Sequence, residues 1–127
     1  MEKREKTKAI ALVLVSVFII STAQILMKKG MSSISLAGLG SLISIPNLMV
    51  IFTNTYVLTG LFMYFIALIL WLGAMSRADV SFIYPLLSTG YIITTIFAII
   101  FLNENVSLIR WVGVGFIFAG SFFIGKS

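Results

Sequence analysis

Residues 79–104 read DVSFIYPLLSTGYIITTIFAIIFLNE, an uncharged run held between Asp79 and Glu104. A helix of that length is enough to cross a hydrocarbon core of about 30 Å. Polar residues recur along it at Ser81, Tyr84, Ser88, Tyr91 and Thr95, in steps of three and four. On an α-helix that spacing puts all five on one face. Pro85 directly follows Tyr84; it has no N–H to donate and crowds the carbonyl four residues earlier, that of Ser81. Within a membrane a carbonyl freed in this way needs another helix, a side chain or a water-lined cavity. The expectation is a membrane helix kinked at Pro85 whose polar stripe faces the substrate. Small polar residues also let helices pack closely, so the stripe has a second reading. Its two tyrosines are too bulky for a close-packed seam.

The composition agrees with a membrane protein. Of 127 residues, 60% are hydrophobic and only 10% charged, where soluble domains carry about 25% charged residues. The net charge of +5 comes from basic residues lying almost entirely outside the apolar runs. No helix face is lysine- or arginine-rich, so nucleic acid is not expected as a partner. There is no cysteine and no histidine, and the acids number four. That leaves no disulfide framework, no metal-ligand cluster and no catalytic triad. No metal, no cofactor and no enzymatic chemistry are expected.

Outward from the central stretch, the chain divides into four spans, near 9–29, 54–76, 80–102 and 107–125, forming a single transmembrane domain over 1–127. The first follows a short basic tail and ends at Lys28. It has the front of a secretory signal, but its uncharged run is long and further spans follow, so it is expected to be retained. Residues 34–45 are expected to form a short helix or turn at the membrane interface, ending near Pro46-Asn47. Asn54 is placed to cap the second span, on which Gly60, Tyr64, Ala67 and Trp71 share a face. The link from Ser76 to Asp79 is short enough to make spans two and three antiparallel neighbours. Ser107 is placed to cap the fourth span, and Arg110 in its first turn is expected to snorkel beside Trp111. Lysine and arginine set the orientation. Lys3, Arg4, Lys6, Lys8, Arg77 and Lys126 fall on the side of the termini, and Lys28, Lys29 and Arg110 on the other. Both termini are therefore expected in the cytoplasm, with the protein multi-pass in the cytoplasmic (inner) membrane.

Several of these pieces resemble a known family. Tyr84-Pro85, Leu87-Ser88, Glu104 with Val106-Ser107, Trp111-x-Gly113-Val114 and Gly120 are similar to the EamA-like branch of the drug/metabolite transporter superfamily. Among its four-helix members the likeness is greatest to the aminoarabinose–phosphoundecaprenol flippase subunits. Ser21-Thr22-Ala23-Gln24 through Lys28 resembles the end of that family's first helix, and the likeness fails over residues 30–53. A more distant relative is the small multidrug resistance family, also built of four helices. Its mark is a glutamate in helix one, eight residues before a terminal lysine. Counting back eight from Lys28 gives Ile20, so the residue that would support proton-coupled cation export is absent.

The resemblance implies a four-helix fold like that of the small multidrug resistance family and a transporter or flippase subunit. Its cargo would be a polyprenyl-phosphate-linked sugar or a similar amphiphile. Two other readings stay open: an exporter of small metabolites or cationic drugs, and a non-transporting membrane partner of a glycosyltransferase or transporter. The candidate substrate-binding residues are Gln24, Lys28, Ser81, Tyr84, Pro85, Ser88 and Tyr91. Ser21, Gln24 and Lys28 lie at helical spacing, and a terminal lysine can hold a phosphate as a point charge or simply snorkel. Gly113 and Gly120 are seven apart on one face of span four. Small residues so placed let helices approach closely, which suggests a homodimer, or a heterodimer with a related four-helix subunit. Membrane lipid and a lipid-linked or small-molecule substrate complete the expected partners.

Overall fold

The computed structural model describes residues 3–34 and 38–127. Helices account for nearly all of that chain: α1 (Lys3–Ser32), α2 (Ile45–Thr53), α3 (Thr55–Met75), α4 (Val80–Ile83), α5 (Gly90–Leu102) and α6 (Leu108–Lys126). Four stretches are long and apolar enough to cross a membrane: Lys3–Ser32, Thr55–Met75, Val80–Leu102 and Leu108–Lys126. The first is a 30-residue helix, about 45 Å long at 1.5 Å per residue. It begins inside the basic tail, because lysine, arginine and glutamate are good helix formers once the helix has nucleated. Its excess of about 15 Å over a bilayer core is the charged start at Lys3–Lys8 together with the end from Lys28 to Ser32.

α1 is the hub. Its buried residues are Ala9, Val13, Ser16, Val17, Ser21, Ala23, Ile25 and Gly30, mostly small, so neighbouring backbones come close. Its most extensive contact is with α3, followed by α5. A Cβ on Gly60 of α3 would lie 3.0 Å from the Ala23 carbonyl oxygen of α1, so only glycine fits there without a shift. A core of Ala9, Val13, Val17, Ala74, Phe82, Ile83 and Leu86 fills the end nearest the termini. Outside that core, Arg77 Nη1 donates to Glu5 Oε2 at 2.9 Å, and Lys6 Nζ donates to the Ser127 carbonyl. The N-terminal turn, the α3–α4 link and the C-terminus therefore meet on one side. Among the described residues, ion pairs are confined to Glu5 with Arg77 and with Lys8, and Glu104 forms none with Arg110.

Two of the caps expected from the sequence are present. Asn54 Oδ1 accepts from the N–H groups of Tyr56 and Val57 at 3.0 and 3.2 Å, and Ser107 Oγ accepts from that of Arg110 at 3.2 Å. The connection between the first two spans departs from expectation. Of the interfacial segment over 34–45, residues 35–37 lie outside the described residues. A 3-10 turn covers Leu39–Ile43, and Pro46 then opens α2 rather than closing a helix. The reason is local: Ser44 Oγ accepts from the Asn47 N–H at 3.4 Å. Proline in a helix's first turn loses nothing, because its missing N–H would have had no partner there.

The third span is not one uniform α-helix. α4 gives way to a 3-10 stretch at Tyr84–Thr89, and α5 follows. Serines from neighbouring helices serve carbonyls at this interruption. Ser121 Oγ of α6 donates to the Pro85 carbonyl at 3.3 Å, and Ser21 Oγ of α1 donates to that of Gly90 at 3.4 Å. α5 ends at Asn103, whose left-handed φ of 55° is of the kind that terminates helices.

Candidate functional site

Beside the 3-10 interruption lies a half-open cavity of about 450 Å³ between α1, α3 and the third span. Its size falls within the usual small-molecule range of about 300–1,000 Å³. α1 contributes Val17, Ile20, Ser21 and Gln24, α3 contributes Tyr64, and the third span contributes Leu87, Gly90, Tyr91 and Thr94. A second cavity of about 190 Å³ adjoins it towards Trp71 and Tyr84 and shares Ile20, Tyr64 and Leu87 with the first. Across the larger cavity, Gln24 Nε2 donates to the Tyr64 hydroxyl at 2.9 Å. In the smaller one, the Trp71 and Tyr84 rings stand edge to face with centroids 6.1 Å apart. Among the described residues, none that lines either cavity is charged.

Four of the residues singled out from the sequence gather around this interruption. Gln24 and Tyr91 line the larger cavity and Tyr84 the smaller. Pro85 turns its carbonyl towards α6. Ser81 is exposed, Ser88 is half-buried, and neither lines either of these two cavities. Lys28 is exposed, one helical turn beyond Gln24 and outside the lining. Gly113 and Gly120 face open space: a Cβ on either would meet nothing within 4 Å.

The serines and tyrosines part company because of helix geometry. A 3-10 helix advances about 120° per residue against about 100° for an α-helix, so six residues turn the face by roughly 120°. The lining residues of the third span are Tyr84, Leu87, Gly90 with Tyr91, and Thr94, so Leu87 takes the place that Ser88 would hold on the expected stripe. Tyr64 was not singled out as a site residue. Its signal was the Gly60–Tyr64–Ala67–Trp71 face of the second span, which presents Tyr64, Ala67 and Trp71 to the smaller cavity.

An uncharged cavity among four helices long and apolar enough to cross a membrane suits a membrane carrier. The chain belongs to the EamA-like transporter family, which it matches over residues 7–126. It is also similar to the "Probable 4-amino-4-deoxy-L-arabinose-phosphoundecaprenol flippase subunit ArnE" of Escherichia coli strains S88, 536 and UTI89. Each is 36% identical over 62 residues, which is 49% of this chain and 56% of the relative. The matched region thus spans about half the length of these curated relatives. No solved structure matches the chain.

Proposed function

We propose that this protein is a flippase subunit of the cytoplasmic membrane that moves a polyprenyl-phosphate-linked sugar, or a similar amphiphile, between leaflets. The observation that carries the reading is the half-open, uncharged cavity at Gln24, Tyr64 and Tyr91. A polar head can leave water for hydroxyl and amide partners there while its lipid tail stays in the bilayer. No fixed charge in the lining would hold the cargo midway, as release on the far side requires. The naming of the similar E. coli proteins as flippase subunits supports the same class of cargo. The amino sugar in that name remains theirs.

In this reading both termini are cytoplasmic, in keeping with the basic residues gathered on their side. The third span bends at Pro85, leaving room for the tail beside Tyr84. Ser81 and Ser88 offer hydroxyls along its flank, and Lys28 receives the phosphate at the opposite mouth as a point charge. Four helices enclose too little volume for a complete path, so the subunit works as a dimer in the manner of the small multidrug resistance fold. The pairing face is that of Gly113 and Gly120, a reading supported by the open space over both. Six basic residues against three favour one fixed orientation. A related partner inserted the other way would restore the inverted symmetry common in transporters. Lipid analysis of a deletion strain tests the proposal. A lipid-linked sugar trapped in the inner leaflet is the expected result, and an unaltered leaflet distribution of all lipid-linked sugars would overturn it.

A further inference from the structure

We infer that the cavity is built for a head group of neutral hydroxyls and discriminates against one that carries an ammonium, with the Gln24–Tyr64 pair as the selecting element. The inference rests on the flippase reading and deepens it. A tyrosine hydroxyl donates one hydrogen bond and accepts others, while a glutamine amide offers donors at nitrogen and an acceptor at oxygen. With Gln24 Nε2 donating to Tyr64 Oη at 2.9 Å, the Tyr64 O–H is left to donate and Gln24 Oε1 to accept. Exchanging the amide's nitrogen and oxygen still leaves donors and acceptors side by side. Tyr91 and Thr94 add hydroxyls of the same dual character to the lining.

A ligand hydroxyl, which both donates and accepts, can satisfy such a pair by itself. An ammonium offers donors alone and would leave the Tyr64 O–H facing it without an acceptor. A phosphate offers acceptors alone and would leave Gln24 Oε1 unmet. Charge leads to the same conclusion. Ile20, which lines both cavities, brings no carboxylate, and the described acids Glu5, Asp79 and Glu104 lie at helix ends or in links. A cation here would give up its water with no counter-charge in return. The ring faces of Tyr64, Tyr91, Trp71 and Tyr84 could attract it, but that attraction is weaker than a full counter-charge.

The test uses the full-length chain in proteoliposomes and two probes, undecaprenyl-phosphate-linked glucose and undecaprenyl phosphate carrying an amino sugar. Binding is measured at a pH where the amine is charged. The glucose lipid, whose sugar is uncharged, is expected to bind at least tenfold more tightly. Tyr64→Phe, which keeps the ring and loses the hydroxyl, should cut binding of the glucose lipid about tenfold. Gln24→Glu, which keeps the shape and adds a charge, should reverse the preference towards the amino lipid. Preference of the unaltered protein for the amino lipid would overturn this inference and leave the flippase reading standing. Binding of neither lipid would overturn both. Equal binding of the glucose lipid by the unaltered protein and Tyr64→Phe would remove Tyr64 from the selecting pair.

Discussion

α1 and α6 are both apolar helices containing small residues, yet they occupy the molecule in opposite ways. α1 buries eight residues and sits at the centre of the bundle. α6 buries only Val114 and Ser121 and rests mainly on the 3-10 stretch at Tyr84–Thr89. The glycines facing α1 are met at once: a Cβ on Gly90 would come within 3.0 Å of Val17 Cγ1, whereas Gly113, Gly115 and Gly120 meet nothing within 4 Å. Close helix approach is what small residues in membranes are for. One set has its partner inside this chain, and the other has a face to offer elsewhere. Identical residue types thus serve intrachain assembly in one helix and, on our proposal, intersubunit assembly in another.

The largest effect should come from Gly60→Val. Its branched side chain would be driven into the Ala23 carbonyl and Met27, and overpacking without room to relax costs about 3 kcal/mol or more here. Loss of a monodisperse peak in size-exclusion chromatography in mild detergent is the expected result. Replacing Gly113 and Gly120 together by Leu should act on the other side of the comparison. The monomer should melt no lower than the unaltered chain, because each change gains about 1 kcal/mol of helix propensity, while cross-linked dimer disappears. An unchanged cross-linking pattern would remove the proposed interface. Asn54→Ala sharpens the α1 side. It deletes a cap that holds two N–H groups of α3 and also reaches Gly30 and Ser33, so a loss of about 1 kcal/mol is expected on denaturant titration. The smallest effect should be that of Glu5→Gln. Exposed ion pairs contribute little, so the melting temperature should not move measurably although the contact to Arg77 weakens.

Much of this was legible in the sequence, and the reasons are physical. Charge-free runs of about 20 residues have few alternatives to spanning helices, and Asn54 and Ser107 are residues whose side chains cap by local geometry. The face of the third span was harder to read. The three-and-four spacing of Ser81, Tyr84, Ser88, Tyr91 and Thr95 implies one stripe only if the helix stays α throughout. The residues around Pro85 instead wind as 3-10, and Ser88 turns away from Tyr84 and Tyr91. Pro46 was misjudged as a stop because proline both ends helices and opens them, and Ser44 two residues earlier decides which. Tyr64 lay in plain view on a helix face, but its importance depends on Gln24 arriving from 40 positions away in the chain. No local pattern encodes that meeting.

On our proposal the cavity beside α1 carries the head group of a lipid-linked sugar. The most direct test of that claim is the rate at which that lipid reaches the outer leaflet in cells expressing the chain with Tyr64→Phe and Tyr91→Phe together. Both changes keep the rings and remove only the hydroxyls that line the cavity. At matched membrane levels the account predicts at least a tenfold fall in rate, each lost hydrogen bond contributing about 1 kcal/mol. An undiminished rate would mean that the head group travels elsewhere and that the cavity is not its path.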